Sequence, residues 1–307
     1  MAASFAVLRG GPSPDHKASI KSGQVVLDVL RDRQGMHRDI YIDREGVWNE
    51  RGRPVSPEQV LRLVDGVINT LHGPYGEDGT VQKLLRQHAM PFSGSEALPS
   101  FFASHKALAK EMMAEEGLET PRYFLVESPE DRQHKISEAI RHLGHLLIVK
   151  SIYGEGGHWV RVCTSAAEIE AAVDELLTYG PVLLEEYIRG REATLFLVEG
   201  FRGDDIYTCS PLEIAREGNQ FVQKCPGSFS RIEREQLEVY ARHIFKTLGL
   251  RHYGKIDFLV TPHTIYFLEA NSLPKIHNRS LFKEALEAMG GTQEEFVRHL
   301  EGLALKG

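Results

Sequence analysis

The sequence predicts an α/β chain of more than one domain, with an open, largely parallel sheet at the N-terminus and α+β structure beyond it. Three observations carry this. Short apolar runs alternate with segments of helical periodicity over roughly the first 90 residues, the pattern of an open α/β sheet. The chain has 307 residues, more than the ~250–300 at which a single core stops growing. Its last third contains two long strand-like runs separated by the turn "TPHT", with helical segments on both sides.

Bulk properties exclude several classes. Hydrophobic residues make up 42% and charged residues 26%, ordinary for a globular protein, and no segment nears the ~18 apolar residues of a membrane helix. The start, "MAASFAVLRGGPSPDHK", lacks the basic lead-in and long apolar stretch of a secretory signal, so it reads as structure in a cytoplasmic protein. Cys163, Cys209 and Cys225 are too few and scattered for a disulfide framework or a CxxC metal site. A net charge of −7 without a basic run argues against nucleic acid as the principal partner.

Taken in order, Phe5 to Leu8 is a strand, "RGGPSP" breaks it, and Ala18, Val25, Val26, Val29 and Leu30 recur at helical spacing. Ser13 before Pro14 is the expected helix cap. "RDIYI" and "VDGVINTL" are further strands, the latter running into "HGPYGEDGT". At "PFSGSEALPS" the texture changes and a first boundary falls. One helix is then expected to carry Phe101, Ala107, Leu108, Met112 and Met113 and to stop at Gly117, with Pro121 beyond. Next come "YFLV", a polar helix near 130–143, "LLIVK", a glycine loop, "HWVRVC", and a helix whose Ser165 and Glu168 fit a capping box. After "PVLLEEYI" follow more strands, a helix from about Glu233 to Leu248, the hairpin, and two terminal helices.

Three segments could carry chemistry. In "KIDFLV" alternation puts Lys255 and Asp257 on one face, and in "FLEANSLP" Glu269 and Asn271 share a face. With an odd-length loop all three of Asp257, Glu269 and Asn271 point one way, a hard-ligand set suited to Mg²⁺, although spacing alone equally allows a polar sheet face. Lys150 ends an apolar strand and precedes Gly154, Gly156 and Gly157, whose bare amides could cover an anion or simply form a turn. The third, "VLLEEYIRGRE", ends a buried strand in Glu185 and Glu186 and reaches Glu192; such carboxylates hold ribose or an amine edge, or form a solvated acidic rim.

The order of these signals resembles the ATP-grasp enzymes. More narrowly, "VLRGGPSPDHKASIKSG", "LHGPYGEDGTVQKLL", "PFSGS", "KIDFLV" and "FLEANSLP" resemble the D-alanine-D-alanine ligases nearly end to end. The resemblance implies an N-terminal α/β substrate domain (1–94), a central ATP-grasp subdomain with a glycine lid (95–186) and a C-terminal subdomain with the metal site (187–307). It implies that Lys106 and Lys150 contact the ATP phosphates, that Gly156 and Gly157 belong to the lid, and that Glu185, Glu186, Ile188 and Glu192 hold adenine and ribose. Asp257, Glu269 and Asn271 would bind two Mg²⁺ ions, with Mn²⁺ as a substitute. Asp15, Lys255 and Ser280 would act on the amino acids, with His72 and Lys275 in the substrate pocket. A homodimer is the implied assembly, and a cell-wall dipeptide the implied product, made through an acyl phosphate.

Departures cluster on the amino-acid side. Asp15 stands for a glutamate, Lys255 for an arginine, Gly157 and His158 for a serine pair, and Lys275 for a glycine. The segment before "CPGSF" is shorter than the family's loop, lacks its tyrosine, and offers only Lys224 for its lysine. These changes keep open a different amino acid or hydroxy acid as acceptor, or an ATP sensor without ligation.

Overall fold

The chain is described from a computed structural model over residues 3–154, 159–217 and 220–306, so Gly156 and Gly157, expected in the lid, and the neighbouring His158 fall outside the described residues. Among those residues three sheets form. The first contains β1 (Phe5–Gly10), β2 (Arg38–Ile42), β3 (Trp48–Glu50), β4 (Arg53–Pro54) and β5 (Gly66–Asn69) in the order β4-β3-β2-β1-β5. β1 lies parallel to both β2 and β5, as expected. The edge is antiparallel, because the short connection from β2 to β3 leaves no room for a crossover. Helices α1 (His16–Arg31), α2 (Pro57–Leu61) and α3 (Thr80–Gln87) complete this unit.

Ser13 does not cap α1. The helix begins at His16 with Asp15 at the N-cap position and no side-chain cap bond. The Ser13 hydroxyl instead donates to the His72 carbonyl at 2.6 Å and accepts from the Asp15 N–H at 2.9 Å. A tertiary partner thus outcompetes the local one.

The single helix expected after residue 97 is two, α4 (Ala97–Ser104) and α5 (Lys106–Glu115). They break at His105, which is extended and whose Nδ1 accepts from the Leu108 N–H at 3.2 Å. The second sheet holds β6 (Tyr123–Val126), β7 (Leu147–Ser151), β8 (Val160–Cys163) and β9 (Val182–Glu186) in the antiparallel order β6-β9-β7-β8. α6 (Arg132–Leu143) and α7 (Ala166–Leu177) cover one face, packing on Val126, Leu147, Val149, Val182 and Leu184. Alternation turns Ile148, Lys150, Leu183 and Glu185 to the other face.

The third sheet is β13-β12-β10-β14-β15, with β11 also on β10: β10 (Arg191–Glu199), β11 (Ile206–Thr208), β12 (Leu212–Glu217), β13 (Gln220–Lys224), β14 (Tyr253–Val260) and β15 (Ile265–Asn271). The short segment before Cys225 is therefore a strand paired with β12, Lys224 lying opposite Glu213. α8 (Arg231–Thr247) packs on one face of this sheet, and α9 (Leu281–Ala288) and α10 (Gln293–Ala304) follow it.

One core joins the two ends of the chain. Phe5, Val7, Val26 and Ile68 of the first unit pack with Phe196, Tyr253, Phe282, Phe296 and Leu300 of the last. This shared core brings the N-terminus of α1 to the end of β15.

His252 lies at the same junction, 2% exposed and in the left-handed region at φ 66°. Its Nδ1 accepts from the Gly94 N–H at 3.0 Å. Burial, with Arg251 alongside, pushes its pKa down to about 4 from an ordinary 6.5. The unfolded chain therefore binds the extra proton between those limits, and stability should fall as pH drops through them. Urea denaturation should show on the order of 2 kcal/mol less stability at pH 5 than at pH 7 from this group. His252→Asn tolerates the left-handed backbone, can still accept from Gly94, and should remove that part of the pH dependence.

Candidate active site

β10 and β14 present opposite characters on their two faces. Ala193, Leu195, Ile256 and Phe258 enter the core, while Glu192, Thr194, Lys255 and Asp257 face a cleft. In the hairpin Asp257 pairs with Glu269 and Lys255 with Asn271, so the three expected metal donors share a face. The turn is not what arranges this. Val260 pairs with Ile265, leaving a four-residue turn, and the odd residue enters as a β-bulge between Asp257 and Phe258. The bulge keeps Phe267 in the core opposite Phe258, adds Leu268, and turns Glu269 and Asn271 to the cleft.

Asp257 Oδ1 accepts from Thr194 Oγ1 at 2.7 Å, and its Oδ2 lies 2.9 Å from Lys255 Nζ. Lys106 Nζ donates to the Gly154 carbonyl at 2.7 Å and sits 3.2 Å from Glu269 Oε2. Asn271 Oδ1 accepts from the Leu273 N–H at 2.6 Å, which fixes the amide. Burial raises the Asp257 pKa to about 6; Lys255 opposes this and the Glu269 charge adds to it. Two carboxylates stacked in a poorly hydrated cleft beside an amide oxygen are a donor set that a hard dication fits.

The second sheet faces this set with a buried triad. Lys150 Nζ donates to Glu185 Oε1 at 2.9 Å, and Lys110 Nζ lies 2.9 Å from Glu185 Oε2. Burial pulls the Glu185 carboxyl upward, but the two ammoniums outweigh it and the net shift is down. Burial pushes Lys110 down to about 8. Sequence reasoning missed Lys110; its spacing of four from Lys106 on one helix face was the available signal.

Between the sheets lies a cleft of about 370 Å³ that brings together Glu185, Glu186, Ile188 and Glu192. Its apolar walls, Ile148, Val160, Val162, Leu259 and Leu268, were not singled out in the sequence. Glu186 is held by Arg122, Nη2 to Oε2 at 2.7 Å. A larger cavity of about 670 Å³ lies at the 261–264 turn, away from every candidate residue.

At the far end Lys275 Nζ meets Asp15 Oδ1 at 2.7 Å. His72, expected in the substrate pocket, is 1% exposed. Its Nδ1 donates to the Leu273 carbonyl at 2.9 Å and its Nε2 accepts from Ser22 Oγ at 2.8 Å, with the ring proton assigned from these partners. Ser280 caps α9, its hydroxyl oxygen accepting from the Lys283 N–H at 3.3 Å.

Two antiparallel sheets enclosing a cleft, with Lys150 on one and Asp257, Glu269 and Asn271 on the other, are the arrangement of the ATP-grasp fold. Solved structures share it: the VanG D-Ala:D-Ser ligase from Enterococcus faecalis (TM-score 0.86, 20% identity, 99% of this chain and 100% of that one) and the D-alanine-D-alanine ligase from Coxiella burnetii (TM-score 0.86, 23% identity, 99% and 94%). The family models described as D-ala D-ala ligase C-terminus and N-terminus match residues 112–301 and 49–95. The D-alanine–D-alanine ligase of Coprothermobacter proteolyticus is 30% identical over 96% of this chain and 97% of its own length. The chain belongs to the D-alanine-D-alanine ligase family.

Proposed function

We propose that the chain is an ATP- and magnesium-dependent ligase that joins two D-alanine molecules for cell-wall precursor synthesis. The observation that carries this is the ladder register that puts Asp257, Glu269 and Asn271 on one face, with Lys106 3.2 Å from Glu269, in a chain collinear with its family. Asp257, Glu269 and Asn271 would hold the magnesium, two ions on the family pattern. When bound, the metal neutralises phosphate charge that opposes nucleophilic attack.

Lys106 and Lys150 orient the phosphates, and the Glu185–Glu192 segment holds the adenosine in the apolar cleft. The first substrate's carboxylate attacks the γ-phosphorus, and ADP leaves. The second substrate's amine then attacks the acyl carbon, expelling phosphate and giving up a proton as the peptide bond forms. Ser280 and Lys255 orient the second substrate's carboxylate. The division at residues 94 and 186 is supported by the sheets, the first running from residue 5 to 69 and the second from 123 to 186. Among the described residues no helix is long and apolar enough to cross a membrane; cytoplasmic residence and a homodimer rest on the family resemblance.

A different second substrate is favoured by one observation: Lys255 offers a point charge, already 2.9 Å from Asp257, where an arginine fork would grip a carboxylate. Phosphate release from ATP with D-alanine, D-serine or D-lactate as acceptor, with products identified by mass, tests both. D-alanyl-D-alanine as the main product supports the first reading; product only with another acceptor replaces it.

A further inference from the structure

Glu185 is matched by two cations that differ in what they can reach. Lys150 Nζ meets Oε1 from β7, where Ile148 stands opposite Glu185 of β9. Lys110 Nζ meets Oε2 from α5, and both distances are 2.9 Å. Lys110 is fully buried, whereas Lys150 keeps a small exposed fringe on a sheet face whose Ile148 and Glu185 line the cleft.

The helix that carries Lys110 is wedged in place. Ala107 packs on Ile152 and Leu183, while Ala109 and Met113 enter the core beneath the third sheet. The Tyr123 hydroxyl of β6 lies 3.4 Å from the Ala107 carbonyl and 3.3 Å from Glu111 Oε1. Lys110 is thus shut in beside Glu185, and Lys150 is the ammonium able to turn toward the cleft.

One carboxylate needs one counter-ion, and a second buried ammonium leaves an excess positive charge that burial disfavours. The second cation has a use where the first must leave. A lysine that turned from its only carboxylate partner to a polyphosphate would strand a buried anion, and that penalty would offset the new contact.

We propose that Lys110 is a positioning residue for nucleotide binding: it stays on Glu185 as the resident counter-ion, so that Lys150 leaves Oε1 for the phosphates of ATP. This rests on reading the cleft as the ATP site. The exchange moves no proton, and the phosphate that Lys150 meets cancels the excess charge present beforehand. Burial holds the Lys110 pKa low and the Lys150 charge adds to this, so departure of Lys150 strengthens the pair left behind.

Calorimetric titration of the full chain with magnesium and a non-hydrolysable ATP analogue tests this. Lys110→Met should weaken the analogue by about tenfold or more, because Lys150 is then the sole partner of Glu185. In the Glu185→Gln background the same change should cost less than about threefold, since no carboxylate then holds Lys150 back. Lys110→Met/Glu185→Gln should therefore bind more tightly than Lys110→Met alone. A packing role for Lys110 would cost the same in both backgrounds. Circular dichroism checks folding. If Glu185→Gln does not fold by itself, the double variant measured against Lys110→Met gives the same decision, and Lys110→Gln replaces a methionine variant that fails to fold.

A loss under about threefold in Lys110→Met overturns the proposal, as does an equal loss in the two backgrounds. Either result leaves the ATP reading of the cleft intact. Failure of the wild type to bind the analogue removes that reading, and the proposal with it.

Discussion

Glu269→Gln should lower turnover by about a thousandfold or more while leaving the fold nearly as stable as before. The substitution keeps the shape and one oxygen but removes the negative charge that faces Asp257 across the ladder. A hard dication then loses an anionic donor. The structural cost is small. Glu269 is 21% exposed, and its cationic neighbour Lys106 keeps the Gly154 carbonyl as a partner. Loss of such an ion pair is worth about 1 kcal/mol, or a few degrees at most in Tm for a chain of this size. Phosphate release under saturating MgATP, paired with scanning calorimetry, is the measurement. Activity within about tenfold of wild type would remove Glu269 from the metal site.

Glu185→Leu should act through stability, costing about 3–5 kcal/mol. The carboxylate is 1% exposed and is the anion shared by Lys110 and Lys150, themselves 0% and 8% exposed. Removing it leaves two ammoniums in a poorly hydrated interior with no carboxylate between them. Restoring neutrality at the deeper site, in the Lys110→Met/Glu185→Leu double variant, should recover part of the loss, because Lys150 still reaches the cleft. Urea denaturation of the three proteins measures this, and a loss under about 1 kcal/mol for Glu185→Leu would show that the triad does not hold the sheet to α5. The same charge balance explains why sequence reasoning undervalued Glu185: adenosine recognition accounts for its position at a strand end, but not for its burial.

The parts of the site readable from sequence are those set by local geometry. Period-two alternation puts Lys255 with Asp257, and Glu269 with Asn271, whatever surrounds the strands. Lys150 and Glu185 follow in the same way, each leaving its sheet's helix-covered face because its neighbours, Val149 and Leu184, are the residues buried beneath α6 and α7. The order of these segments along the chain carries the family resemblance, which needs no contacts to be seen. The parallel centre of the first sheet also follows from strand and helix alternation, since crossover helices impose it.

Other features depend on residues far apart in the chain. The bulge that adds Leu268 is a ladder property, invisible to alternation within one strand, and it alone reconciles a four-residue turn with a shared face for Asp257 and Glu269. Lys110 reads as one more polar residue on a helix until α5 packs against the sheet carrying Glu185. His252 is kept neutral by burial between Gly94 and the third sheet. The pairing of Asp15 with Lys275 arises because Phe5, Val7 and Val26 share a core with Phe282 and Phe296, which no local pattern encodes. Alternation and helical spacing thus settle which way a side chain faces, since both are backbone geometry over a few residues. Which charge it meets is settled when apolar faces distant in sequence are buried together, because that burial brings the charged groups between them within reach of each other.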